Sequence, residues 1–295
     1  MSSNNLPINI ITHFYNEEYL LPFWIDWYKR LPVSSVTLID YSSTDKSCEI
    51  IKEQAPDHWN LIKSRNSDFC AIACDKEVMD IESSLEGWKM AVNTTEFLMI
   101  PQNLNDYLNV LINDAGKLFP SHWNTNFVFC SSVGIVGEEN QNPKNLKEFF
   151  SGFNKGYIGH CPVEHETVPV NKQEYTIRRS DRIMHRYNHG HYSSGRHGTN
   201  LVKQGYEVKS NSMFLAWVGY YPWNQKTIDR KSSIKNRIPS SNIKEGWGQQ
   251  HQWNIDKLNS IREELESGCG NLVDPFDKHF NNEYKKTYEN CLTLL

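Results

Sequence analysis

Two clusters in the second half of the chain carry side chains able to do chemistry. Between residues 175 and 200 the sequence reads YTIRRSDRIMHRYNHGHYSSGRHGTN, in which Arg178, Arg179, Arg182, Arg186 and Arg196 interleave with His185, His189, His191 and His197. Further on, Lys226, Arg230, Lys231 and Lys235 follow one another along a basic segment. A guanidinium is a planar fork of N–H donors that suits phosphate oxygens. A cation about 4 Å from such an oxygen gains roughly 4 kcal/mol at an effective dielectric near 20. Two or three of them together can therefore do the electrostatic work of a metal ion on a bound phosphate group. Singly, each is an ordinary solvated charge; only the grouping marks them out. The histidines admit two readings. As metal ligands, His189-x-His191 and His197 would need a further carboxylate or histidine aimed inward, which the spacing does not dictate. As part of a loop rich in Gly, Tyr and Ser, His189, His191, Arg196 and His197 would bind the hydroxyl groups of a polar ligand, with aromatic faces beside them to stack on it.

Such groups need elements to hold them, and the first hundred residues alternate in period. Ile8 to His13 is a short, mostly apolar run, the mark of a buried strand. After Asn16-Glu17-Glu18, the residues Leu20, Trp24, Trp27 and Tyr28 recur at helical spacing, with Pro22 in the first turn. Val36-Thr37-Leu38-Ile39 predicts a second strand stopped by Asp40, and Ser43-Thr44-Asp45 caps a second helix. Trp59 to Ile62 predicts a third strand. Residues 71–86 predict a helix with a stripe of Cys74, Val78, Ile81 and Leu85, and Trp88 to Val92 a fourth strand. This alternation means an α/β fold with right-handed crossovers and a parallel sheet. Ligands of such sheets bind beyond the carboxyl ends of the strands, where His13, Asp40 and Asn93 would converge. The second half predicts strands around Val128-Phe129 and over Met213–Val218, a basic helix over Gln225–Asn236, and a charged helical tail from Asp256. The expected organisation is one continuous domain with a ligand-binding half (1–130), a second half of different composition (131–255) and the tail (256–295).

Composition narrows the class. A chain of 295 residues with 38% hydrophobic side chains can bury a substantial core. A net charge of −4 offers no global basic field, so neither nucleic acid nor an anionic membrane is expected as partner. The sequence contains no apolar run of about 18 residues that would cross a bilayer. Seven scattered cysteines, an odd number, favour reduced thiols and a cytoplasmic setting.

THFYNEEYLLPFWIDWYKRL followed by VTLIDYSSTDKS resembles the N-terminal half of family-two-type glycosyltransferases. The likeness rests on Asn16-Glu17-Glu18, on Asp40-Tyr41-Ser42-Ser43-Thr44-Asp45, and on the strand end Asn93-Thr94-Thr95-Glu96-Phe97-Leu98. It covers residues 7–101 and, more loosely, 185–253. The resemblance implies the GT-A fold, a Rossmann-like, mostly parallel sheet flanked by helices with an acceptor-side elaboration. It also implies a nucleotide-diphosphate sugar as donor and a saccharide hydroxyl as acceptor, in the making of a surface glycan or polysaccharide. Thr12 and His13 would then border the nucleoside, together with the Asn16 and Glu17 loop. Asp40 would accept hydrogen bonds from base or ribose, and Asp68 and Asp75 would add contacts. His251, in GWGQQHQW, resembles a late segment that closes over the diphosphate.

In many members of that family the slot of Asn93, Thr95 and Glu96 is an acidic Asp-x-Asp motif that grips a metal. A histidine resembling the position of Tyr220 can complete the coordination. Magnesium and manganese want anionic oxygen, and a neutral amide and hydroxyl bind them poorly. The expectation is thus a diphosphate handled without a metal, with Glu96 left to hold Mg or Mn weakly. An inverting transfer would need a base within reach of the acceptor hydroxyl; Asp181 and His185 are the candidates taken forward, with Glu164 and Glu166 behind them. Two rivals stand beside this reading: a nucleotide-sugar or glycan-binding module without turnover, and a metal hydrolase built on the histidines.

Overall fold

The strands expected at the start of the chain form a parallel half-sheet. In a computed structural model, β1 (Ile8–Phe14) pairs in parallel with both β2 (Ser35–Asp40) and β4 (Trp88–Asn93), and β2 with β3 (Asn60–Lys63). The structure describes residues 6–66, 70–101, 103–110, 126–158, 182–192, 194–196, 199, 209–244, 252–272 and 282–295. Register sets the site. His13 lies opposite both Asn93 and Ile39, and Phe14 lies opposite Asp40, so these strand ends finish level with one another. Within β1, Ile8, Ile10, Ile11 and Phe14 are all buried, as a strand covered on both faces requires.

Helix α1 (Leu21–Tyr28) carries proline in its first turn, where no intrahelical N–H is lost. Its aromatic residues dock it onto the chain just past β4. The Trp24 indole and the Tyr28 hydroxyl donate to the Glu96 carbonyl at 3.2 and 3.0 Å, and Trp27 donates to the Leu98 carbonyl at 3.1 Å. Helix α2 (Ser47–Gln54) follows β2, and α3 (Ala71–Glu82) follows β3. The sequence pattern carried α3 to residue 86. It stops at Glu82 because the hydroxyls of Ser83 and Ser84 bond back to the carbonyls of Met79 and Ile81, closing the last turn.

The second half joins the same sheet with other polarity. β5 (Glu96–Met99) is antiparallel to β9 (Lys209–Tyr220), which runs parallel to β6 (Phe127–Val136). β8 (Arg182–His185) is antiparallel to both β4 and β6, and β7 (Lys155–Ile158) continues outward to β10 (Gly270–Asn271). The order is β10-β7-β6-β8-β4-β1-β2-β3, so the sheet runs unbroken across residue 130. The basic segment is α-helical over Gln225–Ser233, then tightens into a 3-10 turn over Ile234–Arg237. Asn224 caps its start by accepting the Thr227 N–H at 3.1 Å. The tail holds two helices, Ile255–Ser267 and Asn282–Leu292, with β10 between them. Between the sheet and α1 sits an aromatic core in which Phe149 stacks on Phe23 at 4.6 Å and Phe150 packs on Trp27 at 4.7 Å. Each such pair adds about 0.5–1.5 kcal/mol beyond its buried area. The six described cysteines are unbridged, and no helix among the described residues is long and apolar enough to cross a membrane.

Candidate functional site

The two phrases that carry the family resemblance hold each other. Asn16, at a φ of 51°, donates its backbone N–H to Ser43 Oγ at 3.1 Å and accepts the Thr44 N–H on its side-chain oxygen at 2.8 Å. Glu17 N–H donates to Ser47 Oγ at 2.8 Å, and Glu18 N–H to Asp45 at 3.0 Å. Glu18 in turn accepts the Lys46 N–H at 3.1 Å. The loops after β1 and β2 are thus clasped by reciprocal bonds, which turns two weak local signals into one built loop pair. Asp40 turns its own loop, accepting the Ser43 N–H at 2.9 Å. Burial and the neighbouring Asp40 push the Cys48 thiol up to about 11, so it stays protonated.

Beyond the level strand ends opens a cleft of about 240 Å³. His13, Phe14 and Tyr15 line it from β1, Glu17 from the clasp, Asn93, Thr94 and Thr95 from the turn after β4, and Trp217 and Gly219 from β9. The basic segment closes one side with Arg230, Lys231, Ile234 and Arg237, and Trp253 and Leu258 complete the wall. Arg230 is 8% exposed and donates to Glu17 at 3.3 Å, while its Nε and second terminal nitrogen find no partner among the described residues. Burial pushes the Glu17 carboxyl up, opposed by the Arg230 charge. Lys231 Nζ lies 3.9 Å from the centre of the Tyr220 ring. Arg237 is held between Tyr15 and Tyr41, 3.6 and 4.7 Å from their ring centres, and donates to the Tyr41 carbonyl at 2.8 Å.

Beneath the cleft floor runs a buried network. Glu96 is fully buried, and both its oxygens are taken by Arg182 at 2.8 to 3.1 Å. It also accepts the Asn93 N–H at 2.8 Å, closing the turn of Thr94 and Thr95. Arg182 donates on to the Gly195 carbonyl at 2.6 Å, and Gly195 N–H donates to Asp75 at 2.7 Å. Asp75 holds Arg196 at 2.7 Å, and Arg196 reaches His13 Nδ1 and Asn93 Oδ1, both at 3.1 Å. Burial raises the Asp75 carboxyl against the pull of Arg196. His13 is held well below the ordinary imidazole value, first by burial and then by Arg196, Arg182 and Arg237, so its ring is neutral near pH 7.

This placement sorts the expected residues. His13, Glu17, Asn93 and Thr95 meet in the cleft wall. Thr12 is 1% exposed in β1, and Asp40 and Asn16 stand in the adjoining clasp. Glu96 and Asp75 are braces beneath the floor, each committed to an arginine. Arg196, expected beside an acceptor, is buried under His13 and Asn93 instead. His185 is fully buried and bonded to Glu82 and the Tyr192 hydroxyl, each at 3.2 Å, so it cannot reach a cleft ligand. Glu82 lies seven residues along α3 from Asp75, about 10 Å away from the level of the cleft floor. His189 and His191 stand at that far end with ring centres 3.9 Å apart, and neither lines the cleft. Asp68, Glu164, Glu166, Arg178, Arg179, Asp181, His197 and His251 lie outside the described residues.

A divalent cation does not fit the floor. The Glu96 carboxylate is saturated by Arg182, and the Asn93 carbonyl already faces a guanidinium. Nor do three or more His, Cys, Asp or Glu side chains gather for a metal elsewhere among the described residues. Sequence reasoning missed Tyr15, Trp217, Trp253 and Arg237. Tyr15 stands one residue past the end of β1 and was open to the strand-end argument, and Arg237 sits one residue beyond the expected helix end.

No family model matches the chain, and no curated protein is significantly similar to it. Among solved structures it is similar to glucosyl-3-phosphoglycerate synthase from Mycobacterium tuberculosis, in complex with Mn2+, UDP and glucosyl-3-phosphoglycerate. There the identity is 14% and the TM-score 0.27, over 43% of this chain and 44% of that one. It is also similar to 4-diphosphocytidyl-2C-methyl-D-erythritol synthase from Anaerococcus prevotii at 10% identity and a TM-score of 0.27, over 46% of this chain and 60% of the other. A Bacillus anthracis protein described as a glucose-1-phosphate thymidylyltransferase, in complex with sucrose, gives 10% identity and a TM-score of 0.28 over 88% and 82%. The chain thus spans less than two thirds of the first two proteins. Superpositions this shallow carry no argument about chemistry, which rests on the cleft itself.

Proposed function

We propose that the chain is a metal-independent glycosyltransferase of the GT-A type, using a nucleotide-diphosphate sugar as donor and a saccharide hydroxyl as acceptor. The single observation that carries this reading is Arg230, a guanidinium more than nine-tenths buried in the cleft wall with two nitrogens that have no partner among the described residues. A buried donor of that kind is costly unless an acceptor arrives. A phosphate oxygen is the acceptor a guanidinium suits best. Lys231 adds a second positive charge along the same wall. The cleft is smaller than the roughly 300–1,000 Å³ of whole-ligand pockets. It therefore suits the diphosphate and the sugar, with the nucleoside lying outward toward Tyr15 and Asp40. Trp217 and Trp253 offer aromatic faces to the sugar or the acceptor. Surface-glycan synthesis is the setting that the family resemblance brings to this reading.

Binding without turnover is a second reading with one observation in its favour. His185 is sealed away from the cleft, and Glu17, the carboxylate lining the cleft among the described residues, is committed to Arg230. One experiment tests both. Purified protein is incubated with UDP-, GDP- and dTDP-sugars in EDTA, with and without saccharide acceptors, while thermal shift reports binding. A bound diphosphate raises the melting temperature by mass action. Turnover in EDTA supports the enzyme, and stabilisation without turnover on any donor, with or without manganese, supports the binding module. In Arg230→Met, loss of a charge-assisted bond worth about 1.5–3 kcal/mol weakens diphosphate binding by roughly 10- to 150-fold. If no nucleoside diphosphate shifts the melting temperature of the wild type under either condition, both readings fall.

A further inference from the structure

Arg196 does more than neutralise Asp75. A guanidinium has donors and no acceptor, so every atom it bonds must present a lone pair. Its contact with His13 Nδ1 at 3.1 Å therefore leaves the ring proton on Nε2. Its contact with the side-chain oxygen of Asn93 at 3.1 Å turns the amide nitrogen the other way. Both side chains line the cleft. Their remaining polar atoms, His13 Nε2–H and the Asn93 NH2, are donors.

We propose that Arg196 is a positioning residue that presets His13 and Asn93 as a pair of N–H donors to an anionic oxygen in the cleft. This rests on the reading of the cleft as a diphosphate site and names what its floor offers. The arrangement leaves the floor with donors, because lone pairs that could have met a cation are spent on a buried guanidinium. Arg196 is itself held rigidly: it is 4% exposed and anchored to Asp75 at 2.7 Å. The preceding Gly195, at a φ of 81°, is bonded to Asp75 through its N–H and to Arg182 through its carbonyl. A conformation with positive φ suits glycine and costs other residues. Arg196 adopts it too, at 60°, which the bonds on both sides of the turn hold in place. The turn thus brings a residue more than a hundred positions away in sequence to set the polarity of two strand ends.

The test uses the full chain labelled with 15N-histidine, and inorganic pyrophosphate in EDTA as the probe. Long-range proton–nitrogen spectra read the histidine tautomers, and His13 is assigned by the signal that disappears in His13→Gln. The wild type is expected to show His13 as a single species protonated on Nε2 alone. In Arg196→Met that species is expected to give way to a mixture of tautomers, with pyrophosphate affinity lowered at least tenfold. Should this variant fail to fold because Asp75 is left unpaired, Asp75→Asn combined with Arg196→Met removes both charges and is read in the same way. Asn93→Asp keeps an acceptor for Arg196 but removes the amide donor, and is expected to lose pyrophosphate affinity while keeping the His13 signal. A folded Arg196 variant with an unchanged His13 tautomer and unchanged affinity overturns the proposal. If instead the wild type binds neither pyrophosphate nor UDP, the diphosphate reading falls. The tautomer spectra then still decide whether Arg196 sets His13.

Discussion

Glu96 is where a ligand role and a bracing role predict opposite results. Its carboxylate is fully buried, bonded three times to an Arg182 that is itself 1% exposed, and accepts the Asn93 N–H besides. Glu96→Ala strands a buried guanidinium, which costs about 3–5 kcal/mol. It also orphans the Asn93 N–H, for a further 1 kcal/mol or so. The expected loss, about 4–6 kcal/mol, is a large share of the 5–15 kcal/mol typical of a whole fold. At roughly 2–4 °C per kcal/mol for a domain of this size, the melting midpoint falls by about 8–24 °C. Urea unfolding followed by tryptophan fluorescence measures it, provided the slope stays that of the wild type. Replacing both partners, as in Glu96→Leu with Arg182→Met, is expected to recover most of the loss, because an apolar pair has no charge to strand. Glu96→Ala with wild-type stability and abolished manganese or diphosphate binding would refute the argument and return Glu96 to the ligand.

Three further outcomes follow from the same geometry. His13 stays neutral in the fold while the unfolded chain takes up its proton as pH falls through 6.5. The stability it lends is therefore complete above that pH and lost below it, at up to about 1.4 kcal/mol per pH unit. His13→Gln should flatten the acid limb of stability by that slope, and identical limbs in urea titrations between pH 6.5 and 5 would contradict it. A Cβ on Gly219 would overlap the Trp217 indole, so Gly219→Ala should push that ring into the cleft, shift its fluorescence and weaken UDP binding; unchanged emission and affinity count against the placement. Asp40→Ala gives up the Ser43 bond, at about 1 kcal/mol of stability, and should weaken nucleotide binding with the fold intact. Equal calorimetric affinities of mutant and wild type for uridine, guanosine and thymidine diphosphates would remove Asp40 from the site.

The parallel half of the fold was legible because its signals are local. Buried strands read as apolar runs, and strand–helix alternation fixes their direction, so the sequence pattern by itself brings His13, Asp40 and Asn93 to one edge of the sheet. The second half was not legible in the same way. β8 is four residues long inside an Arg- and His-rich stretch, and nothing in its composition says that it slots between β4 and β6. That one strand decides the fate of the cluster. It buries Arg182 and His185 as braces and leaves His189 and His191 beyond the far end of α3, so a segment that looked like a sugar-binding loop contributes Arg196 from below. The basic helix, by contrast, does line the cleft, through Arg230 and Lys231.

That Asn93, Thr94 and Thr95 are neutral beside a buried Glu96 fits the charge balance beneath the floor. An aspartate at position 93 would stand 3.1 Å from Arg196, and the Glu96 carboxylate is already neutralised by Arg182. With two arginines fixed under the floor and Arg230, Lys231 and Arg237 along the wall, the region carries its positive charge on the chain itself. A divalent cation added there would meet guanidinium groups at close range, an unfavourable pairing that screening by water weakens little in a buried setting. Asn93→Asp alone should fail to create manganese affinity unless Arg196 is removed with it, and manganese titration of the single and double variants reads the difference directly.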